Sequence, residues 1–188
     1  MAATATPDAD TSEPGATAPP ETPAPPAHPA AIVDVPIVPV TNFRSTFTAA
    51  SAKDVAAILA GTSNRYETLA LIESEAPAIL AALDLADADP ARIVTFADEL
   101  ALARDFAKNR KRLAFLRADA VGPEVRALTW GGKALFGVDR VKDVTDWPLT
   151  ARLPVPASDV AYDPATTWTL FAGGDIMLDR GGDRDARR

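Results

Sequence analysis

The residues near the C-terminus pose the first chemical question. The stretch "WTLFAGGD" is an apolar run, Trp168 to Ala172, that closes on Gly173, Gly174 and Asp175. A strand of this kind carries an acidic side chain to a sheet edge, where a metal or substrate can reach it. One carboxylate is not enough, because hard divalent cations keep their water unless several oxygen ligands converge on the same point. After Gly181 the chain offers only "GDRDARR", without histidine and without apolar periodicity. Asp175 is therefore expected to be an exposed acid in a tail, and the chain by itself is expected to hold no metal or other cofactor.

Few other residues suggest chemistry. Cysteine is absent, which removes disulfides and thiolate metal sites. The one histidine, His28, lies in a Pro/Ala-rich stretch and reads as neither ligand nor base. Lys108, Arg110, Lys111 and Arg112 cluster at the end of a helical pattern, where a solvated helix terminus accounts for them better than an anion site. A net charge of −7 and a pI of about 4.7 argue against a nonspecific grip on nucleic acid or anionic lipid. No run reaches transmembrane length and no apolar segment follows Met1, so neither a membrane span nor an export signal is expected in this chain. A Pro/Ala-rich tether nonetheless often follows a signal or lipid anchor in exported proteins.

The elements that would position a site begin after that tether. Residues 1–31 carry almost no large apolar side chain and are expected to be disordered, partly polyproline II. "IVDVPIVPV" is a β-branched run whose Pro36 and Pro39 favour an edge or first strand. Ser51 reads as an N-cap with Asp54 in the first turn, Val55, Ile58 and Leu59 as an apolar stripe, and Gly61 as a stop. "YETLALIES" predicts a second strand, "EAPAILAALDL" a helix with Pro77 in its first turn, and Ile93, Val94 and Phe96 centre a third strand. "DELALARDFAKNRKR" is helical by its Leu100, Leu102, Phe106 spacing and its acid-first, base-last charges. "LAFLR", a turn over 118–123 and "VRALTW" follow. This alternation predicts an α/β layered sheet with flanking helices over 32–150, with a core of Val38, Val55, Ile58, Leu59, Leu69, Leu71, Ile79, Leu83, Ile93, Val94, Phe106, Leu113 and Phe115. Residues 151–167, rich in Pro and acid, read as a connector.

The order "VPIVPV", "FRSTFTAASAKDVAAILAG", "LAFLRADAVGPEVRALTWGG" resembles the phosphate-binding-like, type II periplasmic solute-binding fold. That resemblance implies that oxyanions are held by Ser/Thr hydroxyls and helix-start amides, here Ser45, Thr46, Thr48 and Ser51, with Arg44 beside them. Caps and loop solvation account for the same hydroxyls without a ligand. The terminal "WTLFAGGDIMLDRG" resembles the opening strand and loop of the CapA family, the poly-γ-glutamate capsule-synthesis proteins with a metallophosphatase-like fold. It implies that 168–188 is the truncated start of such a domain, that Asp175 is a divalent-metal ligand only in a complete one, and that the chain serves capsule machinery at the cell envelope, outside the cytoplasm. Three functions follow: an inactive N-terminal portion of a CapA-like protein, a stand-alone module that binds an anion or small solute, or a fragment with no independent function.

Overall fold

The computed structural model describes residues 30–156 and 162–167. Within that span the β-branched run becomes the longest strand, β1 (Ala30–Asn42), followed by the short β2 (Ala49–Ala50) and helix α1 (Ala52–Leu59). Next come β3 (Thr68–Ile72), α2 (Ala76–Ala82), β4 (Ile93–Phe96) and α3 (Glu99–Lys108). The chain continues through β5 (Arg112–Arg117), β6 (Val125–Ala127), β7 (Thr129–Trp130) and β8 (Thr150–Pro156). The main sheet runs β4-β3-β5-β1-β6, with β8 also paired to β1, and β2 and β7 form a separate parallel pair. Pairing is mixed: β3 is parallel to β4 and β5, while β1 is antiparallel to β5, β6 and β8.

Local signals in the sequence place the helices. The Ser51 hydroxyl accepts from the Asp54 amide, and Asp98 accepts from the Ala101 amide at 2.7 Å, so α1 and α3 start where side chains satisfy the free amides. After α1 the chain turns at Gly61, whose φ of +68° is a backbone conformation that favours glycine. Each helix buries one stripe: Val55 and Ile58, Ala76 and Ile79, Leu102 and Phe106. Leu100 stays exposed, because two positions along a helix from Leu102 is about 200° around it. Leu69–Ile72 and Leu113–Leu116 are buried without alternation, as expected of strands covered on both faces. Of the expected core, Leu59, Leu83, Ile93 and Val94 are only half-buried and the other nine are buried.

β1 is the first strand, one of the two places its prolines suggested, but it is not an edge. It has β5 on one side, and β8 followed by β6 on the other. The Ile37 amide donates to Leu149 O at 3.0 Å and Pro39 O accepts from the Leu128 amide at 2.8 Å, so odd-numbered backbone groups face β8 and β6 and even-numbered ones face β5. Pro36 then points its ring nitrogen past the end of β5, whose register stops at Ile37↔Arg117. Pro39 uses only its carbonyl. Neither proline removes a ladder bond that the sheet needs.

The expected connector begins as strand. β8 continues the sheet to Pro156 with Ala151, Leu153 and Val155 buried and the residues between them exposed. Pro154 and Pro156 face away from β1, where a missing N–H costs nothing and blunts the outer edge. The predicted strand "VRALTW" is split: at Leu128 the chain leaves β1 and Thr129–Trp130 pairs instead with Ala49–Ala50.

Candidate functional site

The hydroxyl-bearing loop between β1 and α1 is built on Asn42. Its amide side chain, buried, donates to Phe106 O at the end of α3 and accepts from the Arg44 amide at 2.8 Å, while its carbonyl accepts from the Ser45 amide at 2.9 Å. The Ser45 hydroxyl in turn accepts from the Phe47 amide at 3.2 Å. Thr46 and Thr48 are exposed, and their hydroxyls have no partner among the described residues. Thr48 O anchors the loop by accepting from the Thr129 amide at 2.9 Å.

At the start of α1 the Ser51 hydroxyl is doubly engaged. It accepts from the Asp54 amide and donates to Asp54 Oδ2 at 2.7 Å. The other carboxylate oxygen takes a hydrogen bond from Arg65 at 2.9 Å, and Arg65 also donates to Ala49 O at 2.9 Å. The guanidinium lies 4.2 Å from the centre of the Phe47 ring and 5.3 Å from that of Tyr66. The Tyr66 hydroxyl is buried with no hydrogen-bond partner among the described residues. Burial pushes its pKa up, the Arg65 charge opposes this, and the Asp54 charge reinforces it.

Ser45, Thr46, Thr48 and Ser51 thus lie on the stretch between β1 and the start of α1. Two of the four hydroxyls already serve local turns and caps, and two remain open. Asp54 complements the helix dipole before any ligand arrives, and Arg65 balances Asp54. The loop can offer hydroxyls and amides to an anion, with no net positive charge of its own apart from exposed Arg44. Sequence reasoning missed Arg65 and Tyr66, which a turn after α1 brings back to its first turn. Nothing in their spacing announces that return.

The carboxyl ends of the parallel strands β3, β4 and β5 have a different character. Arg117 grips Asp119 with two bonds of 2.7 Å, and Glu75 stands 4.0 Å away on its other side. Glu75 is buried. Burial pushes its carboxyl pKa up, Arg117 opposes the shift, and Glu99 and Asp119 add to it. With three acids around one cation this end of the sheet disfavours an anion. Among the described residues no group of three or more His, Cys, Asp or Glu is placed to hold a metal ion. His28 and Asp175, with the whole CapA-like string, lie outside the described residues.

No protein-family model and no curated protein matches the sequence. Among solved structures, an ABC-type phosphate transport receptor from Vibrio cholerae is similar, with a TM-score of 0.50 and 12% identity over 75% of this chain and 65% of the receptor. PstS from Borrelia burgdorferi matches with a TM-score of 0.45 and 8% identity, covering 68% of this chain and 59% of PstS. The chain therefore spans less than two thirds of the length of these two structures, 65% and 59%. These findings overturn the CapA reading, together with its capsule-synthesis role: the structural likeness is to transport receptors, and no match supports a CapA protein. The physical reason is that a dozen residues of apolar strand and Gly-Asp fit many folds, whereas the order of strands and helices over the described chain fits few. The chain has the layered α/β sheet with flanking helices of the periplasmic-binding-protein-like fold.

Proposed function

We propose that this chain is a binding module for a small anion or anionic solute, and that it works outside the cytoplasm. The observation that carries the reading is the fold likeness to a phosphate transport receptor. The loop into α1 supports it, with the Thr46 and Thr48 hydroxyls open, Ser45 and Ser51 holding the backbone in shape, and the first amides of α1 beyond. Recognition would rest on hydrogen bonds more than on charge, because Arg65 is committed to Asp54. Affinity is then expected to be modest and to depend little on salt. No helix among the described residues is long and apolar enough to cross a membrane.

Calorimetric titration with phosphate, sulfate and glutamate tests this. Saturable heat with at least one of them, reduced in a Thr46→Ala/Thr48→Ala variant, is the expected result. No heat above dilution for any of the three, with the protein shown to be folded, would leave the fold without this function.

A further inference from the structure

We propose a second anion site, in the cleft between the end of α3 and the first residues of β3 and β5. This cleft of about 190 Å³ shares no residue with the loop into α1 and is lined by Glu67, Thr68 and the run Lys108–Arg112. Its ligand class is a small tetrahedral oxyanion, such as inorganic phosphate or sulfate.

The charge count is local and asymmetric. In a chain of net charge −7, four of the five residues from Lys108 to Arg112 are basic. One of the four is spent: Arg112 pairs with Asp105 and donates to the Thr68 hydroxyl at 2.6 Å. Asp105 is likewise occupied, since it also accepts from the Asn109 side chain at 2.7 Å. What remains is Lys108, Arg110 and Lys111 against Glu67. Lys111 and Glu67 meet at 2.9 Å, but both side chains are 62% exposed, so solvent screens the pair and a polyvalent anion can displace it at little cost. Lys108 and Arg110 have no acceptor among the described residues. The Thr68 hydroxyl accepts from Arg112, which leaves its own proton to donate into the cleft.

A helix terminus explains only part of this cluster. Lys108 lies in the last turn of α3 and complements its dipole. That effect fades within the turn, and Arg110 and Lys111 lie beyond the Asn109 cap. Walls that carry an excess of positive charge focus the field of a cleft, and a guanidinium beside two ammonium groups suits three or four oxygens of one anion.

Amide chemical shifts followed during titration with inorganic phosphate, and separately sulfate, at ionic strength held constant with chloride, give the test. Saturable shifts at Thr68 and Lys108–Arg112 are expected. A Lys108→Ala/Arg110→Ala variant, altered only at exposed positions, should bind there about tenfold or more weakly while any shifts at Ser51–Val55 are unchanged. That second readout separates this site from the one proposed at α1. Shifts reproduced by chloride alone, or retained by the variant, would overturn the proposal.

Discussion

Asp54 and Arg65 meet at 2.9 Å beside the first turn of α1, eleven residues apart in sequence, and the pair sets the electrostatic character of the loop that precedes it. The carboxylate sits where the helix would otherwise favour an incoming anion, and the guanidinium that balances it is held there instead of being offered to a ligand. Asp54→Asn should therefore tighten phosphate binding several-fold at low ionic strength, with the gain shrinking as salt is added. Titration of both proteins across a salt series checks this. Equal affinities at low salt would mean that the ligand does not approach α1.

Tyr66 buries a hydroxyl that has no partner among the described residues. Removing it relieves a desolvation penalty of about 1 kcal/mol or more. Tyr66→Phe is expected to raise the urea midpoint without changing the slope. A clear loss of stability would show that the hydroxyl is hydrogen-bonded in solution.

Ile58 and Leu71, both fully buried, join α1 to the main sheet. Truncating either to Ala should cost roughly 2 to 5 kcal/mol. Denaturation curves within error of the wild type at both positions would contradict this packing.

Burial raises the Glu75 carboxyl pKa above its ordinary value, against the opposing effect of Arg117. In that case the folded state keeps a proton that the unfolded chain has released. The contribution of this group to stability is then fully present below the ordinary glutamate value and is lost as pH rises through the raised one. Glu75→Gln should flatten the fall in stability over that window. Urea midpoints measured from about pH 4 to about pH 7 decide, since a variant with an unchanged pH slope would place the proton elsewhere.

Much of the fold is legible because its signals are local. Ser51 and Asp98 announce helix starts, Pro77 fits a first turn, and the runs Leu69–Ile72 and Leu113–Leu116 can be little other than covered strands. What stays hidden depends on partners far along the chain. Pro154 and Pro156 look like breakers until β1 is known to lie on the other side of their strand. Ala49–Ala50 is too short to show a period before Thr129–Trp130 pairs with it. The site follows the same rule: Ser45, Thr46, Thr48 and Ser51 are neighbours in sequence and stay neighbours in space. Arg65 reaches them through a turn, and the cleft at Lys108–Arg112 exists only because β3 lies beside β5.

The central claim is anion binding at the loop into α1, and amide chemical shifts during a phosphate titration at constant ionic strength test it most directly. Saturable shifts at Thr46, Thr48 and Ser51–Val55, lost in the Thr46→Ala/Thr48→Ala variant, are the predicted result. A folded protein in which those amides do not move at any phosphate concentration, whatever happens at Lys108–Arg112, would contradict it.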